Sequence, residues 1–219
     1  MTAGLRLAPV FDPLLLARVE DAGLNASAPP QQRWQDGWLV RFSPGKAKRA
    51  RCVNALAADG LPLERKLALA QAVFDEAQLP LILRITPFSR PSDLDRQLEL
   101  RGSPLAQRQA HAQRLELSPV PFRALAIRRE DDGAVLACGQ FAREADLVGL
   151  YDVFTQASAR GQGLARRLCA GLLARARDEG ARSAYLQVEG DNHAARSVYR
   201  RLGFFDGYAY HYRGPAGAG

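Results

Sequence analysis

The sequence predicts an α+β fold built on a mixed, mostly antiparallel sheet flanked by helices. Two observations lead to this prediction. In the last hundred residues, runs with strand-like composition alternate with segments of helical periodicity in the order β-β-β-α-β-α-β. The first half repeats part of that order less regularly, with a hairpin followed by a helix, a strand and a helix.

Length and composition indicate a globular protein. The chain has 219 residues, of which 47% are hydrophobic and 24% are charged, enough for one large domain or two small ones. The longest apolar runs, such as 14–17 and 79–83, are far shorter than the ~18 residues that cross a bilayer. The N-terminus has no export-signal pattern, and the three cysteines form neither a paired framework nor a Cys-x-x-Cys motif. We therefore expect a cytoplasmic protein without a membrane partner.

The net charge of +7 makes a phosphate-bearing ligand or a polyanion worth considering. The excess is almost entirely arginine, because the only lysines are Lys46, Lys48 and Lys66. Apart from a cluster over 46–51, the arginines are spread along the chain, as on a solvated surface. The sequence lacks the basic stripe interleaved with aromatic residues that is typical of nucleic-acid modules, so nucleic acid ranks low as a partner.

The second half is the more regular part. The Asp132-Gly133 step favours a tight turn between its first two strands. Leu164, Leu168 and Leu172 recur every four residues, which predicts an amphipathic helix. Strands are predicted at 122–128, 134–141, 147–155, 183–188 and 208–212, and helices at 164–179 and 194–202.

The first half resembles the second when the sequence is compared with itself. It predicts strands at 37–42, 50–56 and 81–85, with helices at 63–77 and 91–101. Leu83–Ile85 aligns with Leu186–Val188 at an offset of 103, and Leu98 aligns with Tyr199 at an offset of 101. This agreement favours an internal duplication, although short matches also arise by chance. We therefore divide the chain into two regions, 1–118 and 119–213, with a strand within 103–118 joining them and a disordered tail at 214–219.

A glycine-containing segment lies where the third strand of the second half meets the amphipathic helix. It reads Arg160-Gly161-Gln162-Gly163-Leu164-Ala165. A helix N-terminus leaves backbone N–H groups unpaired and carries partial positive charge, so it stabilises a phosphate. Glycine lets such a ligand approach the backbone, and arginines at 160 and 166 can add charge-assisted bonds. The segment lacks the third glycine of a dinucleotide fingerprint and the Gly-Lys-Ser/Thr of a P-loop.

Two ordered motifs resemble the GNAT superfamily of N-acetyltransferases. The segment Arg160–Ala165 fits the (Gln/Arg)-x-x-Gly-x-(Gly/Ala) motif of the superfamily. Downstream, Leu186–Val188 followed by Asn192, Ala195, Tyr199 and Gly203-Phe204 fits its second motif. The resemblance covers about 122–212, and the first half is similar to a degenerate partial copy that lacks the glycine loop, so one active site is expected.

The resemblance implies acetyl-CoA as cosubstrate and assigns residues to its parts. The loop from Arg160 to Arg166 would hold the pyrophosphate, with Gly161, Gln162, Gly163, Leu164 and Ala165 between them. Val153, Phe154 and Thr155 on the third strand would bind the pantetheine, and Asn192 would contact the coenzyme arm. Tyr199 corresponds to the tyrosine that protonates the coenzyme A thiolate, and a phenol with an ordinary pKa of about 10 is protonated at neutral pH.

The general base is less well defined by the sequence. Asp152 on the third strand and Glu189 after the next strand are both candidates, and a charged residue at a strand end is often only solvated. His111, His193 and His211 show no metal-ligand spacing, and Cys169 lies on the apolar helix face. We therefore expect neither a metal nor a covalent acyl-enzyme.

The resemblance therefore implies an enzyme that transfers an acetyl group from acetyl-CoA to a primary amine by direct attack in a ternary complex. A catalytically inactive, acyl-CoA-binding regulatory module is the alternative, and an acceptor bound to nucleic acid is a third. Trp34 and Trp38 either line the acceptor cleft or form a buried pair under a basic edge. The sequence identifies neither the amine nor the oligomeric state.

Overall fold

A computed structural model describes residues 10–44, 48–58, 60–101 and 120–215. Among these residues it has five α-helices and nine strands. The helices are α1 Pro13–Ala26, α2 Leu63–Glu76, α3 Leu94–Leu100, α4 Leu164–Asp178 and α5 His193–Arg201. The strands are β1 Gln32–Gln35, β2 Trp38–Arg41, β3 Val53–Ala55, β4 Leu83–Ile85, β5 Phe122–Arg128, β6 Val135–Glu144, β7 Leu147–Thr155, β8 Ser183–Leu186 and β9 His211–Arg213. The predicted α+β class is confirmed.

The chain folds into two compact units whose segments are not contiguous. One unit combines residues 1–26 with 119–207, and the other combines 27–118 with 208–219. The boundary expected between 118 and 119 lies outside the described residues, so the division into 1–118 and 119–213 stays a prediction. The terminal segments differ from that expectation, because the N-terminal helix belongs with the second half and the C-terminal strand belongs with the first. Local sequence pattern predicts an element but not the sheet that it joins.

The unit that contains 119–207 is built on the sheet β5-β6-β7-β8. Its first three strands pair antiparallel, and β8 joins β7 in parallel after the crossover through α4. The apolar stripe of α4 packs on one face of this sheet, where Leu164, Leu168 and Leu172 are buried with Phe141 and Leu150. On the other face, α1 packs against β7 and β8. The chain passes from the end of β7 at Thr155 through a short loop to the start of α4 at Leu164.

The unit that contains 27–118 is built on the sheet β1-β2-β3-β4-β9. Again three strands pair antiparallel, and the crossover through α2 makes β3 and β4 parallel. The strand β9 completes the sheet by pairing antiparallel with β4, with Arg84 opposite Tyr212. The two units thus share an element order, while the duplication itself stays a prediction.

Two elements of the N-terminal segment were not predicted. The helix α1 was missed, although Pro13 at its start is typical of a first helical position. The hairpin predicted from 37–42 and 50–56 is present, because β2 pairs antiparallel with β3. The strand β1 was missed; it pairs antiparallel with β2 across the turn Asp36-Gly37. Both turn residues have positive φ, 47° and 75°, as a tight two-residue hairpin turn requires.

The two tryptophans have different environments. Trp38 on β2 is 1% exposed and packs in the core of its unit, whereas Trp34 on the edge strand β1 is 64% exposed. The alternative of a buried tryptophan pair is therefore wrong, because Trp34 is largely exposed.

Several predicted features lie wholly or partly outside the described residues. The joining strand within 103–118 and positions 216–219 of the expected disordered tail are among them. Gly214 is buried beside Leu81 and Ile82. None of the described helices is long and apolar enough to cross a membrane.

Candidate active site

The glycine loop has the backbone shape that a close ligand requires. Gly161 and Gly163 have φ of 78° and 76°, in the left-handed region that non-glycine residues rarely occupy. A Cβ placed on either glycine would meet no atom within 4 Å, so the space beside both positions is open. Arg160 is exposed, and its Nε donates to the carbonyl oxygen of Thr155 at 3.4 Å. The loop therefore exposes backbone at its surface and is tied to the end of β7.

The first turn of α4 is not capped by the protein. Gly163 occupies the N-cap position and offers no side chain, and the first turn contains no acidic residue. The N–H groups there are therefore free of a capping side chain, and the helix dipole favours an anion at this place. Leu164 is buried, Ala165 is half-buried and Arg166 is exposed. These features fit a pyrophosphate.

The corresponding helix of the other unit is closed to such a ligand. Helix α2 begins after Pro62 and carries Glu64 in its first turn. Hydrogen bonding to the backbone N–H of Glu64 itself and to Arg101 lowers the pKa of that carboxyl below its ordinary value. The Glu64 carboxylate thus already places a negative charge at the N-terminus of α2. No glycine loop precedes this helix.

The strand β7 continues past its parallel partner. The last residue pair between β7 and β8 is Leu150 with Leu186, and β7 then runs on to Thr155. Over 151–155, one edge of β7 pairs with β6 while its other edge has no described strand beside it. The backbone groups of Val153, Phe154 and Thr155 on that edge can pair with an extended, amide-containing ligand. Phe154 is 52% exposed.

A β-bulge interrupts β7 at the same place. Cys138 pairs with Phe154 and Gln140 pairs with Tyr151, so Gly139 alone lies opposite Asp152 and Val153. Asp152 has φ of 49°, one of the few non-glycine residues of the described chain with positive φ. Its carboxylate accepts a hydrogen bond of 2.6 Å from Nε2 of Gln140. The bulge thus turns the Asp152 side chain to the sheet face opposite α4.

Tyr199 lies on the α4 side of the sheet. It borders the same core cluster as Val153 and packs its ring edge-on to Phe204, with centroids 6.0 Å apart. Burial raises the pKa of Tyr199 to about 12, with a smaller contribution from Cys169. Its hydroxyl forms no hydrogen bond with any residue that the structure describes. A protonated phenol of this kind can donate to a ligand.

Asn192 and Glu189 occupy the connection between β8 and α5. The Oδ1 of Asn192 accepts from the backbone N–H of Ala195 at 3.1 Å, so Asn192 caps α5. This cap uses the side-chain oxygen and leaves the amide nitrogen for a ligand. Glu189 is exposed, and its backbone carbonyl accepts from the N–H of Asn192.

A basic cavity opens on the outer face of α5. Its volume is about 310 Å³. The lining residues are His193, Arg196, Ser197, Arg200 and Arg201. Asp206 pairs with Arg196 at 2.7 Å and lies 3.8 Å from Arg200, which offsets part of the positive charge. The first lining residue, His193, follows Asn192 directly in the chain. The remaining positive charge of the cavity attracts anions.

Gln140 is the site residue that the sequence did not single out. It lies in the otherwise apolar run of β6 and is 8% exposed. A buried side-chain amide needs a hydrogen-bond partner, so a glutamine inside an apolar strand was a usable signal. The partner, Asp152, is twelve residues away and became evident only with the strand register.

Comparison with protein-family models gives a match over the second half of the chain and the end of the first. The acetyltransferase (GNAT) family model matches residues 93–204, just over half of the chain. The chain belongs to the GNAT family. The resemblance predicted from the two motifs is thereby confirmed, and this GNAT chain is an acetyltransferase by its family.

A solved structure that covers most of the chain has the same fold. The chain is 18% identical to a GCN5-related N-acetyltransferase from Kribbella flavida, with 91% of this chain and 94% of that chain covered and a TM-score of 0.62. It also matches glucosamine-6-phosphate N-acetyltransferase from Arabidopsis thaliana, at 18% identity over 39% of this chain and 60% of that chain, with a TM-score of 0.35. No curated protein matches the chain significantly.

A metal was not expected from the sequence. Among the residues that the structure describes, no group of three or more His, Cys, Asp or Glu side chains is arranged to hold a metal ion. The expectation stays a prediction. Cys169 is buried in the core, and burial raises the pKa of its thiol to about 11, so it is not a thiolate at neutral pH.

Proposed function

We propose that this GNAT chain transfers an acetyl group from acetyl-CoA to a primary amine by direct attack in a ternary complex. The observation that carries the proposal is the separation of β7 from β8 beyond Leu150, beside the open N-terminus of α4. It leaves a free strand edge and a free helix end within one unit, which suit the pantetheine and the pyrophosphate of one extended molecule.

The pyrophosphate is assigned to the loop Arg160–Arg166. Backbone N–H groups at the start of α4 would donate to the phosphate oxygens, and the open space beside Gly161 and Gly163 allows that approach. Arg160 and Arg166 are exposed and can add charge. Gln162 is exposed between the two glycines. The side-chain nitrogen of Asn192, whose side-chain oxygen caps α5, is assigned to the coenzyme arm.

The acid and the base are assigned to opposite faces of the sheet. Tyr199 borders the core on the α4 face, whereas Asp152 bonds to Gln140 on the other face. An amine approaching from the Asp152 side would lose its proton to that carboxylate, directly or through a water molecule. The departing thiolate on the Tyr199 side would take the phenolic proton. Backbone N–H groups at the bulge are the candidates for stabilising the oxyanion.

We expect a single coenzyme site per chain. The N-terminus of α2 lacks a counterpart of the loop Gly161-Gln162-Gly163 and carries Glu64, whose own charge opposes a phosphate. The half that contains α2 is assigned a supporting role.

Calorimetric titration with acetyl-CoA and with S-acetylpantetheine tests the binding part of the proposal. We expect micromolar affinity for acetyl-CoA and much weaker binding of S-acetylpantetheine, which lacks the pyrophosphate. Thiol release is then measured with spermidine, kanamycin, free amino acids and short peptides that end in alanine or contain lysine. Binding without thiol release for any amine would favour the regulatory module. Absence of binding to both compounds would exclude the proposed coenzyme site.

A further inference from the structure

The contact between Gln140 and Asp152 links two strands at the bulge. Nε2 of Gln140 donates to Oδ2 of Asp152 at 2.6 Å, a short bond for an amide and a carboxylate. Gln140 is 8% exposed, so its amide has little access to water, whereas Asp152 is exposed. The donor is fixed in the sheet and the acceptor faces the solvent, so the bond determines where the carboxylate points.

The backbone explains why such a bond is needed. Asp152 has φ of 49° at the bulge, where the ladder between β6 and β7 shifts register. A side chain at a bulge is no longer oriented by the regular alternation of the strand. The Asp152 side chain is therefore oriented by its hydrogen bonds, and the buried amide of Gln140 supplies one of them.

We propose that Gln140 is a positioning residue for acetyl transfer: its buried amide holds the Asp152 carboxylate in the orientation that accepts a proton from the acceptor amine. This inference rests on the proposed function. An amide donor stabilises a carboxylate but cannot take its proton. Gln140 therefore acts only through Asp152 and does not contact the substrate.

Other titratable groups face the same region. On this face of the sheet, β6 carries Cys138 and Glu144, β7 carries Tyr151 and β8 carries Tyr185. Helix α1, which packs on this face, adds Glu20 and Asp21, and burial together with Glu20 and Glu144 raises the pKa of Asp21. Glu144 also accepts from a side-chain amide, Nδ2 of Asn25 on α1 at 3.0 Å, whereas Asp152 accepts from a neighbouring strand at the bulge of β7.

The experiment compares Gln140→Glu and Gln140→Leu with the wild-type chain, using the amine of the panel that gives the highest rate. In Gln140→Glu two carboxylates would lie at hydrogen-bond distance and share a proton, so the acidic limb of the pH profile should move up by about one unit or more. In Gln140→Leu the carboxylate loses its support, and kcat should fall by ~10-fold to ~10²-fold with unchanged affinity for acetyl-CoA.

A swapped double variant separates positioning from a purely structural role. Gln140→Glu combined with Asp152→Asn restores an amide-carboxylate hydrogen bond with the partners exchanged. We expect the swap to recover the melting temperature lost in Gln140→Glu, but not kcat, because the carboxylate is then in the buried position. Gln71→Glu is a matched control, since Nε2 of Gln71 donates to Asp75 at 2.7 Å on the exposed surface of α2. It should leave the pH profile unchanged.

Recovery of kcat in the swapped variant would overturn the inference. It would also be overturned if Gln140→Glu and Gln140→Leu both kept the kcat and the pH profile of the wild-type chain. Retained affinity for acetyl-CoA shows that each variant is folded. If the wild-type chain neither binds acetyl-CoA nor releases thiol with any amine, the proposed function fails, and the inference fails with it.

Discussion

Tyr199 on α5 and Cys169 on α4 belong to one core cluster, and each has a raised pKa. Burial raises the pKa of the Cys169 thiol to about 11 and that of the Tyr199 phenol to about 12, to which the nearby thiol also contributes. Both groups are therefore uncharged at neutral pH. The phenol can serve as a proton donor, while the thiol is a small apolar core residue.

Replacement of this phenol tests its role as an acid. In Tyr199→Phe the ring and its contact with Phe204 are kept, and only the hydroxyl is lost. We expect kcat to fall by about 10² with little change in the affinity for acetyl-CoA, as removal of a general acid predicts. Steady-state kinetics and calorimetry measure the two effects. Tyr208→Phe, in the other unit, should leave both unchanged. An unchanged rate would remove Tyr199 from the mechanism.

The pH dependence of the wild-type rate gives a second test. A general acid works only while protonated, and its contribution is lost as the pH rises through its pKa. Since the pKa of Tyr199 is about 12, we expect no loss of kcat that depends on Tyr199 up to pH 10. A declining limb below pH 10 that disappears in Tyr199→Phe would contradict the raised pKa.

The glycine loop can be tested with two glycines at opposite ends of the same helix. Gly163 precedes α4 with φ of 76°, and Gly180 follows it with φ of 100°; a Cβ at either position meets open space. Alanine at either position should destabilise the fold by about 1 kcal/mol, because it must adopt a left-handed conformation. Only Gly163→Ala should also weaken acetyl-CoA binding, by ~10-fold or more, since its methyl group occupies the ligand side.

Thermal unfolding and calorimetry measure both variants. Equal losses of affinity in Gly163→Ala and Gly180→Ala would show that the effect is general destabilisation. Retained affinity in Gly163→Ala would count against this loop as the phosphate site.

The carboxyl group of Asp95 connects α3 to the C-terminal strand β9. It accepts from Nε of Arg213 at 2.7 Å and lies 2.8 Å from Nε2 of His211. Hydrogen bonding to Arg213, together with His211, lowers the pKa of Asp95 below 3.8. A lowered pKa stabilises the fold above the unfolded value of 3.8, and this contribution is lost as the pH falls through the folded value.

We expect Asp95→Asn to lose about 1 kcal/mol or less at pH 7, because the partly exposed carboxylate is screened by solvent. The difference from wild type should shrink as the pH falls below 3.8 and disappear below the lowered folded-state pKa of Asp95, where both chains carry a neutral group. Urea unfolding at pH 7 and at a series of acidic pH values measures this. Asp93→Asn, two residues earlier on the exposed surface, is the control and should change stability less. A difference that does not shrink as the pH falls would show that charge is not its origin.

Much of the unit that carries the candidate site was predictable because its signals are local. The spacing of Leu164, Leu168 and Leu172 predicts α4, and the Asp132-Gly133 step predicts the hairpin before β6. The elements β1 and α1 were missed because each has only a short or irregular apolar pattern. Both are stabilised by packing or pairing with other segments of the chain. The strand predicted over 208–212 begins later, at His211, and extends the other sheet.

The sequence by itself determined the family, the glycine loop at the start of α4 and the tyrosine of α5, because these depend on residue types at short, ordered spacings. Only the tertiary structure placed β9 beside β4, separated β7 from β8 beyond Leu150 and brought Gln140 to Asp152. Those relationships depend on strand register and on a bulge between segments far apart in the chain. No local pattern of side chains encodes which distant backbone a strand will pair with.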